Sequence, residues 1–126
     1  MNDEPGSILT ETIIGIAISV HRKLGPGLLE SVYNRCLSHA LQQHGLGIQR
    51  EVPLPLLFDG FRLDKVYQAD IIVENTVLLE LKATEAILPL HEAQTRTYLK
   101  LSPCRIGLLM NFNSLLLKDG LRRFVG

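Results

Sequence analysis

The spacing of apolar residues along the chain predicts helices in its first third. Between Ser7 and Leu24 apolar residues recur every three or four positions, which is the period of an amphipathic α-helix. Gly25-Pro26-Gly27 ends this helix, because glycine supplies a left-handed cap and proline cannot continue the helix. A second helix is predicted from about Leu28 to about His44, and Gly45 and Gly47 follow it.

From Ile48 onward the pattern changes to the alternation that is typical of strands. Three strands are predicted at Ile48–Phe58, Val66–Glu74 and Val77–Ala83, then a helix from Pro89 to about Leu101 and a fourth strand at Cys104–Phe112, with a short strand expected in Ser114–Val125. The order α-α-β-β-β-α-β predicts one α/β domain over residues 1–126, in which helices flank a mixed central sheet.

The third predicted strand, Val77–Ala83, has charged residues inside an apolar run. Glu80 and Lys82 are two positions apart, so they lie on the same face of the strand. Asp70 lies in the apolar run of the preceding strand. A three-residue loop at Glu74–Thr76 would set Asp70 opposite Glu80, with their Cβ atoms about 5 Å apart.

Two adjacent carboxylates repel each other, so Asp70 and Glu80 require an explanation. A divalent cation between them would remove the repulsion, and a few oxygen ligands with open positions suit Mg²⁺ or Mn²⁺. Lys82 beside them could help an attacking water and stabilise charge that develops on a phosphate. The spacing alone leaves two alternatives open: an ion pair of Lys82 with either carboxylate, or a solvated face.

Composition limits the functional classes to which this chain can belong. The 126 residues are 46% hydrophobic, which is enough for a core, and the 13 basic residues balance the 13 acidic residues. A nucleic-acid surface would therefore have to be local. Cys36 and Cys104 form no CxxC pair, and the polar N-terminus is unlike a signal peptide, so a cytoplasmic location is predicted. No apolar run approaches the roughly 20 residues that span a bilayer, so no membrane partner is expected.

Two motifs resemble a known family. Asp70 followed by Glu80-Leu81-Lys82 resembles the core motif of the PD-(D/E)XK nucleases, although Ala69 stands where that motif has proline. Gly27–Tyr33 resembles the GxxExxY signature of a small prokaryotic branch of this superfamily. The resemblance extends over nearly the whole chain, and it implies a nuclease-like core and Mg²⁺- or Mn²⁺-dependent hydrolysis of phosphodiester bonds, with DNA as the expected substrate.

The resemblance also implies roles for individual residues. Asp70 and Glu80 would hold the metal, helped by the Leu81 carbonyl. Lys82 would serve the attacking water. Glu30, at the start of the second helix, would complete the acidic shell, and the alternative is that it only complements the helix dipole.

On the third helix, Gln94 and Tyr98 resemble the QxxxY motif of RecB-type nuclease domains, in which the pair touches substrate phosphate or positions the lysine. His91 shares their stripe on the helix. We expect these three residues and Tyr33 to position substrate. The alternatives are a boundary stripe for the helix and a place in the core for Tyr33.

The last two expectations concern a histidine and the oligomeric state. His21 lies in the last turn of the first helix, where a cation complements the dipole, and we favour this role over metal binding. A domain of this size covers little of a duplex, whose strands are related by pseudo-two-fold symmetry, so a two-fold homodimer is predicted. A non-catalytic module that keeps the fold to bind nucleic acid or protein is the alternative function.

Overall fold

The computed structural model describes residues 7–126, which contain three α-helices and five strands. The helices are α1 (Ser7–Leu24), α2 (Glu30–Gln43) and α3 (Pro89–Leu101). The strands are β1 (Ile48–Phe58), β2 (Phe61–Val73), β3 (Val77–Lys82), β4 (Ile106–Asn111) and β5 (Leu121–Val125), with a short 3₁₀ helix at Leu117–Gly120. The predicted α/β class and the order of elements are confirmed.

The strands form one mixed sheet in the order β1-β2-β3-β4-β5. Neighbouring strands are antiparallel except β3 and β4, which are parallel. Parallel neighbours require a crossover connection, and α3 provides it.

Helices cover both faces of the sheet. On the α1–α2 face, Ile13 and Ala17 of α1 and Leu37 of α2 pack with Leu79 and Leu108 of the sheet. On the α3 face, Leu99 packs with other sheet residues, namely Leu54, Ala69, Ile72, Leu78, Leu109 and Phe124. Because successive strand residues face opposite ways, the apolar runs of β3 and β4 supply both layers at once. Within residues 7–126 no helix is long and apolar enough to cross a membrane.

Strand β2 is longer than its sequence pattern predicts, because it begins at Phe61 instead of Val66. Asp59 and Gly60 have positive φ angles of 48° and 80°, as a two-residue type I′ hairpin turn requires. The register between β1 and β2 then shifts, and Lys65 at this irregularity has a φ of 60°. This bulge interrupts the alternation of side chains on β2 between Leu63 and Tyr67, so the sequence pattern predicts the strand only from Val66 onward.

Strand β2 also changes the face that it presents to the helices beside Asp70. Ile71 packs on the α1–α2 face, whereas Ala69, two residues earlier, packs on the α3 face. Strict alternation would place these two residues on the same face. Glu51, at the facing position of β1, has a φ of 52°, so the irregular backbone involves both strands at this point.

His21 lies in the last turn of α1, as predicted, but its side chain is buried. Its Nε2–H donates a hydrogen bond of 3.1 Å to the carbonyl oxygen of Phe112. The side chain thus ties α1 to the chain after β4, and its effect on the helix dipole stays a prediction.

Candidate active site

The pairing of β2 with β3 ends just before the two carboxylates. Val73 pairs with Val77, so the connection is the predicted three-residue loop that sets Asp70 opposite Glu80. The last pair of this register is Ile71 with Leu79, and the next position sets Asp70 opposite Glu80.

Beyond this point the carboxylates themselves link the two strands. Glu80 Oε1 accepts a hydrogen bond of 3.1 Å from the backbone N–H of Asp70. Asp70 Oδ2 accepts a hydrogen bond of 2.7 Å from the backbone N–H of Leu81. Each carboxylate satisfies a backbone donor of the opposite strand, so neither side chain can turn away without leaving that donor unpaired.

Burial disfavours the ionised form of both carboxylates. Glu80 is only 4% exposed. Desolvation, followed by the charge of Asp70, raises the pKa of Glu80 from 4.5 to about 8. Desolvation is also the main reason that the pKa of Asp70 rises from 3.8 to about 6, and the nearby charge of Glu30 adds to it. A cation held between these groups would favour their ionised forms.

Lys82 contacts helix α3 instead of a carboxylate. Its Nζ donates a hydrogen bond of 3.4 Å to Oε1 of Gln94. None of the ion pairs found in residues 7–126 joins Lys82 to Asp70 or Glu80. The charges on β3 are thus not explained by a buried ion pair.

A cavity of about 290 Å³ opens beside Asp70 on the α2 side. Its lining residues come from α2, β1, β2 and β3, and they are Glu30, Ser31, Asn34, Arg50, Glu51, Gln68, Asp70 and Leu81. The structure therefore brings Glu30 and Asp70 together. Glu80, Lys82 and Gln94 do not line this cavity, so the predicted residues are divided between the cavity and the side of α3.

Sequence reasoning missed Asn34, which connects α2 to β2 at the site. The side chain of Asn34 is buried, and its Nδ2–H donates to the carbonyl oxygen of Asp70 at 3.3 Å. Its Oδ1 accepts a hydrogen bond of 2.8 Å from Nε of Arg50. Asn34 is one turn after Glu30 on the same helix face, and this i, i+4 spacing is the signal that could have identified it.

Tyr33 does not join the other predicted site residues. Its side chain is fully buried and stacks on Phe112, with ring centroids 4.8 Å apart. Its hydroxyl donates to the carbonyl oxygen of Gly25 and accepts a hydrogen bond of 3.1 Å from the N–H of Leu28. Tyr33 therefore closes the loop before α2, and this contact helps to place Glu30 at the start of that helix.

His91 and Tyr98 have different surroundings. Nδ1 of His91 accepts a hydrogen bond of 3.0 Å from the N–H of Leu88, so His91 caps the start of α3. Burial, and then the charge of Glu80, raise the pKa of Tyr98 above its usual value, so this phenol lies within electrostatic range of that carboxylate.

The donor set at the point where β2 and β3 stop pairing is small. Residues 7–126 contain no group of three or more histidine, cysteine, aspartate or glutamate side chains arranged to hold a metal ion. Asp70 and Glu80 offer two carboxylates, and Leu81 adds a backbone carbonyl. Mg²⁺ is commonly bound through one or two carboxylates while it keeps several waters, so this donor set fits such an ion.

Comparison with known proteins identifies the family. No significant match was found among curated proteins or among solved structures. The family model of the PD-(D/E)XK nuclease superfamily matches residues 7–124, which is nearly the whole chain. This chain therefore belongs to the PD-(D/E)XK nuclease superfamily.

Proposed function

We propose that this protein is a divalent-metal-dependent nuclease that hydrolyses phosphodiester bonds in DNA. The observation that carries the proposal is the carboxylate pair. Asp70 and Glu80 are held together where the pairing of β2 with β3 ends, burial raises the pKa of each, and Lys82 makes no ion pair with either of them. A pair that costs stability in the folded chain is expected where a bound cation is part of the function.

In this proposal Asp70, Glu80 and the Leu81 carbonyl hold Mg²⁺ or Mn²⁺. The ion would supply Lewis-acid stabilisation of the negative charge that develops during phosphoryl transfer. Glu30, which lines the cavity with Asp70, would complete the acidic shell.

The other residues act on the water and the substrate. Lys82 has three N–H donors, and the contact with Gln94 occupies one of them. The remaining donors of Lys82 can bind the attacking water or a non-bridging phosphate oxygen. Gln94 holds the amine in place from α3, and Tyr98 offers a hydroxyl to the substrate. For His91, whose Nδ1 caps α3, the free Nε2 is the atom that a phosphate would meet.

We also assign the chain to the GxxExxY branch of the superfamily, which is prokaryotic, and we propose a cytoplasmic location. The contacts of Tyr33 support the first assignment. Its hydroxyl bridges Gly25 and Leu28 in the loop that leads to Glu30, so the signature tyrosine and the signature glutamate have linked positions.

The test is hydrolysis of single- and double-stranded DNA and RNA of matched sequence, with Mg²⁺, Mn²⁺ or EDTA. We expect cleavage of DNA that requires the metal, and a loss of at least about 100-fold in Lys82→Ala, since a positioned proton-transfer group contributes about 10²–10⁴ in rate. Lys118→Ala, an exposed lysine of the 3₁₀ helix, is the matched control and should cleave like wild type.

Cleavage in EDTA, or wild-type cleavage by Lys82→Ala, would contradict the proposal. Binding of nucleic acid without cleavage under any metal would instead support the alternative, a non-catalytic module that retains the nuclease fold.

A further inference from the structure

One face of the β1–β2 hairpin is apolar from the Leu54–Tyr67 pair to the turn. Leu54, Leu56 and Phe58 are two positions apart on β1, so they share a face. Their partners on β2 lie on the same face, since cross-strand pairs do. The pairs are Leu54 with Tyr67, Leu56 with Leu63, and Phe58 with Phe61, and we call these six residues the hairpin face.

The hairpin face begins under α3 and ends in solvent. Leu54 is buried in the α3-face core, and Tyr67 packs against the same core. At the turn, Phe58 and Phe61 are 66% and 62% exposed. When a row of apolar side chains continues beyond the helix that buries its first members, the exposed members indicate a binding surface.

Tyr67 connects the hairpin face to the candidate active site. Its ring centroid lies 5.6 Å from that of Tyr98, at an interplanar angle of 44°. Tyr98 lies one turn after Gln94 on the same face of α3, and Gln94 accepts the hydrogen bond from Lys82, so this aromatic pair lies on the Lys82 side of the site. Both tyrosines are half-buried, which leaves part of each ring accessible.

We propose that Tyr67 and Tyr98 form a stacking platform for nucleobases, and that the hairpin face extends this platform for an unpaired strand of nucleic acid. The inference rests on the proposed function and specifies its substrate as a single strand or an unpaired end. A base inserted between the two tyrosine rings would need about 7 Å between them, which is two contact distances, but the centroids are only 5.6 Å apart. The base therefore stacks on the outer surface of the pair.

Two features favour an unpaired strand over a duplex. Bases in a duplex stack on one another, and their faces become available to side chains only when the strand is unpaired. The charges around the turn also balance, with Asp59 and Asp64 against Arg62 and Lys65, and Arg62 is already paired with Asp64 at 2.7 Å. Stacking, and not attraction to phosphates, therefore supplies the binding, and its salt dependence should be shallow.

The test measures binding of a fluorescein-labelled oligothymidylate, alone and as a duplex with oligoadenylate, to the Lys82→Ala protein in Mg²⁺. The single strand should bind more tightly than the duplex. Adding Tyr67→Ala should weaken single-strand binding about ten-fold, which corresponds to about 1.4 kcal/mol. Tyr67→Phe, which keeps the ring, should stay within about two-fold of the parent.

Tyr67→Leu separates stacking from packing, because leucine fills apolar space without an aromatic face, and it should bind as weakly as Tyr67→Ala. This variant also serves if Tyr67→Ala does not fold. Leu57→Ala is the matched control: Leu57 is exposed on the opposite face of the same hairpin, and its loss should leave binding unchanged.

Parental affinity in both Tyr67→Leu and Tyr67→Ala would overturn the platform. If Phe58→Ser with Phe61→Ser reduces the mass in light scattering but leaves strand binding unchanged, the outer hairpin face is an interface between protein copies and the extension is wrong. This assay reads binding and not cleavage, so it tests the platform separately from the nuclease activity. If the wild-type protein binds the strand but never cuts it, only the nuclease proposal is refuted.

Discussion

The carboxylate of Glu80 accepts a hydrogen bond from the backbone of Asp70 at the point where β2 and β3 stop pairing. The carboxylate of Asp70 returns the contact to the backbone of Leu81. The two side chains thus continue the sheet with carboxylate oxygens in place of carbonyl oxygens. This arrangement satisfies the backbone but brings two acids together where solvation is poor, which costs stability when no cation is bound.

Replacing Glu80 by glutamine tests whether the acid serves a metal. Glu80→Gln keeps the shape and the hydrogen-bond acceptor while it removes the charge, so the metal-free variant should be as stable as wild type, or more stable by about 1 kcal/mol. Mn²⁺ should raise the wild-type melting temperature by mass action and should have little effect on the variant. Thermal melts of both proteins in EDTA and in Mn²⁺ measure this. A variant destabilised by roughly 3–5 kcal/mol and indifferent to metal would point to a structural ion pair instead.

The stability of the metal-free protein should fall as the pH rises from about 4 to about 8. Folding raises the pKa of Asp70 from 3.8 to about 6 and that of Glu80 from 4.5 to about 8, so ionising these groups is harder in the folded state. The resulting destabilisation is absent below the pKa values of the unfolded state, grows as the pH rises between the unfolded-state and folded-state pKa values, and is complete above the folded-state values. Urea unfolding at a series of pH values in EDTA, with Glu80→Gln as the control, should show a weaker decline in the variant.

The metal should bind more tightly over the same rise in pH, since it binds the ionised carboxylates and displaces their protons. The increase in melting temperature with Mn²⁺ should therefore be small near pH 5 and larger near pH 8. Calorimetry in two buffers of different ionisation enthalpy should detect proton release on binding. An affinity that does not change with pH would contradict a site built on Asp70 and Glu80.

Gln94 should act through Lys82. Gln94→Ala removes the contact to Nζ of Lys82, so we expect kcat to fall about ten-fold with a smaller change in KM. The double variant with Lys82→Ala should be no worse than Lys82→Ala alone, because two residues that act as a unit are not additive. Steady-state kinetics of the three variants measures this, and additive losses would indicate that Gln94 contacts substrate independently.

Tyr33→Phe should affect stability and not catalysis. The change removes a hydroxyl that joins Gly25 to Leu28, and the loss of such hydrogen bonds costs about 1–3 kcal/mol. The folded variant should keep the wild-type kcat/KM, since the side chain is buried. A large loss of activity at unchanged stability would restore the role in substrate positioning that the sequence suggested.

Several features of this protein can be predicted from local sequence because they depend on local chemistry. The period of apolar residues predicts the bounds of α1 and of β1, and Pro89 predicts the start of α3. The length of the loop after Val73 determines the register of the hairpin, and that register sets Asp70 opposite Glu80.

Tertiary packing decided the rest. The backbone irregularity at Glu51 and Asp70 changes the face of β2, and no period in the sequence marks it. The contacts of Lys82 with Gln94 and of Asn34 with the backbone of Asp70 join segments that are far apart in the chain. A local pattern records which side of an element avoids water, but it does not record which distant side chain packs there. For this reason only the folded structure shows that Asp70 lines the cavity beside Glu30 whereas Glu80 does not.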